Sequence, residues 1–320
     1  MRTLTPRDTR RVRPKPLPQQ LGAEFSVADA RRAGATRNRV DASDLTVPFH
    51  GARVRSHDPF VGDRYEVAQQ ELLERCRAFV AIAPRRYAFS HVTAARIYGI
   101  PLPERLERDS VVHVAVPNGK PPPSGRGVRG HRVHEPRRQQ VAGVYVLPIE
   151  QVWLQLASVL TVDELVVAGD YLVRRKNPRS TIERMRAAVA QASGARGART
   201  ARAALADVRP LTDSPQESRM RLIIVRAGLP EPCIRFTVFN ADGSWCGTPD
   251  LAYVNERIAI EYEGDDHRSD PKIFADDIDR RERFERAGWR VLRVTSRHLR
   301  TPELLVRRVR ELLAARAAHS

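Results

Sequence analysis

The chain has 320 residues, 42% of them hydrophobic and 6% aromatic, room for two or three domains of about 100–150 residues with modest cores. No run approaches the ~20 apolar residues of a helical membrane span, and Cys76, Cys233 and Cys246 lie far apart without a CxxC pair. That argues against a disulfide framework, a cysteine zinc site and a membrane association, and leads us to expect a cytoplasmic protein.

Lys and Arg number 55 against 38 Asp and Glu, a net charge of +17, which attracts polyanions. Only four of these are Lys (Lys15, Lys120, Lys176, Lys272), leaving 51 Arg, whose planar fork suits phosphate. A genome-wide bias toward Arg and Ala explains the same excess, so charge by itself does not establish DNA binding.

In chain order, residues 1–18 read as a basic, Pro-rich disordered arm without the apolar stretch of a secretory signal. Over 19–60, Ser26 caps a short helix, VADARRAG, that Gly34 ends, and ATRNRVDASDL predicts a second helix with Val40 and Leu45 facing inward. VPFHGARVR predicts a two-stranded wing turning at Gly51. Helix, turn, basic helix and wing make the pattern of a winged helix-turn-helix, with Arg37, Arg39, Arg53 and Arg55 toward a duplex. An ordinary small helical domain in an Arg-rich chain would look similar.

Residues 61–176 predict an α+β middle domain. YEVAQQELLERCRAFVAIA is a helix, Ser90 caps another, and His91 in its first turn reads as a capping or packing residue rather than a catalyst. VVHVAVP, VRGHRVHE and GVYVLP alternate as strands around the loop PNGKPPPSGRG. IEQVWLQLASVLTVDELVVAGDYLVRR is helical, with the strongest apolar periodicity of this region. A helical linker over 177–213, broken by SGARGAR, ends between Pro210 and Pro215.

From 214 to 320 the order is α-β-β-β-α-β-α. QESRMRLIIVRAG is a helix stopped by Gly228, IRFTVFN a strand, NADG a hairpin turn, and TPDLAYV and ERIAIEYEG two further strands. DPKIFADDIDRRERFERAG is a long helix, WRVLRVT a fourth strand, and TPELLVRRVRELLAARAA closes the chain. Asp250 starts one central strand, and Glu261 and Glu263, two apart on the next, share a face. Glu217 lies in the first turns of the preceding helix. Between Asp242 and Glu285, 13 acids face 6 basic residues, a net of −7 inside a +17 chain. Carboxylates converging from neighbouring elements suit Mg²⁺ or Mn²⁺, and such a cluster is costly unless a cation partners it. Trp245, Arg235, Arg281 and Arg290 read as surface or packing groups before phosphate neighbours, and Trp289 as core.

The run TPD…IAIEYEG, preceded by a helical ES and followed by DDH and AGWRVLRVT, resembles the PD-(D/E)XK nuclease superfamily, within it the relatives of very-short-patch-repair endonucleases. The resemblance implies a restriction-endonuclease-like α/β domain with a mixed sheet, in which Glu217, Asp250 and Glu261 bind metal. Glu263 stands where that superfamily has Lys, so His267, just after the strand, becomes the candidate for orienting or deprotonating the attacking water, ahead of Lys272. The resemblance thus assigns Glu217, Asp250, Glu261, Glu263 and His267 to catalysis. Upstream, residues 18–175 with FSHVTAARIYGIPLP resemble AbiEi-type antitoxins and regulators, which implies DNA binding and a protein partner in a toxin–antitoxin or defence system.

Two functional readings stay open: a metal-dependent DNA endonuclease of defence or repair, and a regulator or antitoxin with a catalytically silent nuclease fold. A third makes the acids plain salt-bridge partners of the many Arg.

Overall fold

The structure is a computed structural model that describes residues 14–134, 136–192, 194–264 and 280–318. Most of the N-terminal arm, His267 and Lys272 lie outside the described residues. The chain is a mixed α/β protein with several sheets and divides into two compact units. One runs to Gly99 and takes in Glu104–Pro148; the other is Ile100–Pro103 and everything from Ile149.

The first unit opens with β1 (Glu24–Ser26), α1 (Val27–Arg32), α2 (Arg37–Val40), β2 (Leu45–Thr46) and β3 (Ala52–Arg55), the strands forming an antiparallel sheet in the order β1-β3-β2. Ser26 Oγ accepts from Asp29 N at 2.9 Å and so caps α1, and Gly34, at φ +91°, follows its end. Gly51, at φ +82°, turns β2 into β3. Leu17, Phe25, Ala30, Val40 and Leu45 fill the small core.

The helix expected over ATRNRVDASDL is a single turn, and Leu45 reaches the core from β2 instead. Asp41, Ser43 and Asp44 are weak helix formers, and the Asp41 carboxylate is taken by Arg53. The fork of Arg39 onto Asp44, at 2.9 and 2.7 Å, holds the chain where it leaves the helix.

Next come α3 (Arg64–Val80), β4 (Ala88–Phe89), α4 (His91–Tyr98), α5 (Glu104–Glu107), β5 (Val112–Pro117), β6 (Ser124–Gly125), β7 (Val128–Val133), β8 (Gln139–Val141) and β9 (Val144–Val146). Asp63 and Glu66 close a reciprocal capping box on α3. The strands form a six-stranded mixed sheet, β6-β7-β5-β4-β9-β8, with β5/β7 and β4/β9 parallel. Central β5 is buried from Val112 to Val116, as a strand covered on both faces must be.

In the second unit, α6 (Ile149–Leu156), α7 (Val162–Leu172), α8 (Ile182–Gln191) and α9 (Ala198–Asp207) precede α10 (Pro215–Arg226). The apolar run from Ile149 is two helices because Thr161 caps a new one in a box with Glu164. Arg221 of α10 reaches Asp170 of α7 at 3.0 Å, both side chains buried.

Then follow β10 (Cys233–Ile234), β11 (Val238–Phe239), β12 (Trp245–Gly247), β13 (Leu251–Tyr253), β14 (Ile258–Tyr262), α11 described over 280–286, β15 (Arg290–Val294), α12 (Ser296–Arg300) and α13 (Pro302–Ala317). IRFTVFN is not one strand. Arg235, at φ +53°, breaks it: β10 joins the main sheet, while β11 pairs with β12 across the NADG turn.

The main sheet is β10-β13-β14-β15, with β13/β14 antiparallel and β14/β15 parallel. Alternation sends Leu251, Tyr253, Ile258 and Ile260 against Met220 and Ile224 of α10 and Leu305 and Val309 of α13. Ala252 and Ala259 point the other way, toward Phe284 of α11 and the buried Trp289. The sheet therefore carries helices on both faces. Among the described residues no helix is long and apolar enough to cross a membrane.

Candidate acidic site

The acidic residues are gathered by strand register and one helix start. β13 and β14 pair with Leu251 opposite Ile260, so one step further along the ladder Asp250 stands across from Glu261. Tyr262 N–H donates to Asp250 Oδ2 at 2.8 Å, and Arg235 N–H donates to Asp250 O at 3.0 Å. Asp250 is thus held by the backbone of both neighbouring strands.

Glu217 sits in the first turn of α10. Ser214 Oγ accepts from its N–H at 3.2 Å, and its own Oε2 accepts from Asp213 N–H at 2.9 Å. A carboxylate in the first helical turn is favoured by the helix dipole, yet this side chain is only 5% exposed.

Burial raises the Glu217 carboxyl above the ordinary Glu value, and the charge of Asp250 raises it further. Burial also raises Asp250, against the downward pull of the Tyr262 N–H and of Arg280 and Arg235. The Asp250 charge therefore reaches Glu217, which has no basic partner among the described residues to offset it. Asp213 adds to the demand: it raises both neighbours, and its Oδ1 is buried without a hydrogen-bond partner. Sequence reasoning passed over Asp213. The available signal was an acid one helical turn before Glu217, at the cap.

Around the carboxylates lies a ring of guanidinium groups. Arg175 reaches Asp213 Oδ2 at 2.6 Å and Arg235 reaches the same oxygen at 3.2 Å. Arg280 of α11 lies 2.5 Å from Glu261 Oε1. Glu263, just past β14, is 3.6 Å from Arg293 Nη1 and donates its N–H to Val294 O at 2.8 Å. Glu217, Asp250, Glu261 and Asp213 are all hard oxygen donors, the chemistry of a Mg²⁺ or Mn²⁺ shell. They do not form a group of three ligand atoms converged to metal-holding distance, which among the described residues only His91, His113 and His131 do. The buried Glu217 carboxylate, repelled by Asp250, and the orphaned Asp213 oxygen are what such an ion would relieve.

In the first unit, Arg37 is exposed at the start of α2. The other three arginines singled out in the sequence make internal contacts. Arg39 is 8% exposed and forks onto Asp44. Arg53 donates to Val40 O at 2.6 Å and Asp41 Oδ1 at 2.8 Å. Arg55 donates to Gly22 O and Leu21 O, each at 3.3 Å.

Fold and site together define a mixed α/β chain whose second unit carries a partly buried carboxylate cluster at one end of a four-stranded mixed sheet. Two curated relatives from Mycobacterium tuberculosis align with it. "Uncharacterized protein MT2308" (strain CDC 1551 / Oshkosh) and "Uncharacterized protein Rv2248" (strain ATCC 25618 / H37Rv) are each 26% identical over 257 residues, which cover 79% of this chain and 92% of theirs. No protein-family model and no solved structure matches the chain.

Proposed function

We propose that the chain is a DNA-binding protein whose second unit hydrolyses phosphodiester bonds with a divalent metal ion held by Glu217, Asp250 and Glu261. The observation that carries this reading is the buried Glu217 carboxylate at the start of α10, close enough to the half-buried Asp250 for the two charges to repel. A bound Mg²⁺ or Mn²⁺ would polarise a phosphoryl oxygen and lower the pKa of a water. The chain's own part is to hold the carboxylates by backbone N–H groups from Tyr262 and Asp213. Arg235 and Arg280 stand beside them as cations for a phosphate.

This reading draws on the resemblance to PD-(D/E)XK nucleases and keeps His267 as the candidate group for the attacking water. DNA is the proposed polyanionic partner, with the net charge of +17 as its electrostatic support. A protein partner in a toxin–antitoxin or defence system belongs to the same proposal.

A second reading, a regulator whose nuclease fold is silent, is favoured by one observation. Glu263, which the resemblance sets where that superfamily has Lys, is an acid 3.6 Å from Arg293 Nη1.

The deciding experiment incubates purified protein with supercoiled plasmid and Mg²⁺ or Mn²⁺, beside Asp250→Ala. Nicking by the wild type and none by the variant supports hydrolysis. If neither nicks under either metal while both retard a duplex on a gel, the enzyme reading fails and the silent regulator stands.

A further inference from the structure

Three histidines far apart in sequence meet in the first unit. His113 lies in β5 and His131 in β7. The parallel register sets His113 beside Arg129 and Ala115 beside His131, so 113, 129 and 131 share one face of the sheet. Ser90 N–H donates to His113 O at 3.0 Å, which brings the start of α4, and with it His91, next to β5.

The imidazoles are stacked. His91 and His131 have ring centroids 3.6 Å apart and planes 20° apart; His113 and His131 are 5.1 Å and 14° apart. His91 adopts φ +49°, a left-handed conformation that is uncommon outside Gly and that clusters at functional positions.

Stacking and a hydrogen bond between His113 and His131 bring the rings together. One ring nitrogen from each histidine lies within 4.8 Å of the others, and His113 Nδ1 is 3.0 Å from His131 Nε2. Donors about 2.0–2.1 Å from a tetrahedral zinc ion sit about 3.3 Å from one another. The close pair already has nearly that spacing, and binding one ion takes shifts of no more than about 1.5 Å together with a rotation of the stacked rings, whose lone pairs lie in the ring planes.

The other nitrogen of His113, Nε2, is buried without a hydrogen-bond partner, and Asp109 Oδ2 lies 3.6 Å from it. A carboxylate behind the far nitrogen of an imidazole is how metal-bound histidines are held in orientation. His91 and His131 are only half-buried, and the exposed Arg129 shares the sheet face of His113 and His131.

We propose that His91, His113 and His131 form a binding site for a zinc-type transition-metal ion, with Asp109 orienting His113 and a fourth position open to an anionic ligand beside Arg129. Imidazole nitrogens select zinc and the late first-row ions over Mg²⁺, so this site and the carboxylates of the second unit take different metals.

The test uses the untagged full chain freed of metal with a chelator. Zn²⁺ is titrated against a chromophoric competitor, and Co²⁺ is followed by its visible absorption. One equivalent of Zn²⁺, and three histidine ligands in the X-ray absorption fine structure of the Zn²⁺-loaded wild type, are expected. His131→Gln and His113→Phe should each weaken binding at least tenfold, and Asp109→Asn about 10–100-fold. Asp250→Ala should leave the affinity unchanged, which separates this outcome from the fate of the acidic site. No bound Zn²⁺, an oxygen-only shell, or loss of Zn²⁺ in Asp250→Ala but not in the histidine variants overturns the proposal. The absorption measurement on wild type decides the matter even if a variant fails to fold.

Discussion

Arg280 Nη2 lies 2.5 Å from Glu261 Oε1, and the same group donates to Thr248 O at 3.1 Å. A guanidinium from α11 thus partly neutralises the carboxylate that stands across the ladder from Asp250. A divalent cation at the acidic site would compete with it. Arg280→Ala should therefore tighten Mn²⁺ binding; for a pair this exposed the effect is about 1 kcal/mol, roughly fivefold. Calorimetric titration of wild type and variant measures it, and weaker binding in the variant would count against a cation at these carboxylates.

The pair of Asp170 and Arg221 makes a stability prediction. Both are buried, and Asp170 also accepts from Arg209 N–H at 2.7 Å while Arg221 reaches Glu231 at 2.9 Å. Asp170→Ala removes the buried carboxylate but leaves Arg221 its bonds to Glu231 and Asp207 O, and should cost about 1.5–3 kcal/mol. The double variant Asp170→Leu with Arg221→Met, which removes both charges, should recover most of that loss. Urea unfolding curves give both numbers. A single-variant loss below about 1 kcal/mol would show that the pair is not shielded from water.

Thiol reactivity separates the three cysteines. Cys233 is exposed, whereas Cys76 and Cys246 are buried. Burial pushes the Cys76 thiol up to about 12, despite the downward pull of Arg96 and other arginines, and raises Cys246 as well. A folded-state pKa above the unfolded value means that the neutral thiol is favoured in the fold. Its contribution to stability is intact below about pH 8.5 and is lost as pH climbs toward 12. At pH 8 one thiol per native chain should react with a chromogenic disulfide, and three after denaturation. Rapid labelling of all three in the native state would refute the burial.

Arg37 and Arg39, two positions apart, should respond differently to alanine. Arg39 forks onto Asp44 from a buried position, so Arg39→Ala should lower stability by about 1 kcal/mol. Arg37 is exposed, so Arg37→Ala should leave stability within about 0.5 kcal/mol. If Arg37 meets a phosphate, its loss should reduce the salt slope of duplex binding by about 1. Thermal melts and salt-dependent gel retardation read the two effects separately.

Local chemistry made much of the secondary structure legible in the sequence alone. Ser26 before α1, Gly34 after it, Gly228 after α10 and the Gly-bearing NADG turn act over three or four residues. A single sequence window contains everything they need. The period-two placement of Glu261 and Glu263 and the Asp after Pro249 were readable for the same reason. Tertiary structure alone decided which side chains meet. The ladder sets Asp250 opposite Glu261, α11 supplies Arg280, and the parallel pairing of β5 with β7 brings His113 to His131. Tertiary structure also cut IRFTVFN at Arg235, shortened α2 to one turn and turned Arg39 inward. In each case the deciding partner lies on another element or in a local hydrogen bond that apolar periodicity does not encode. Hydrophobic pattern specifies which face is buried, whereas register and packing specify which charges and ligands share it.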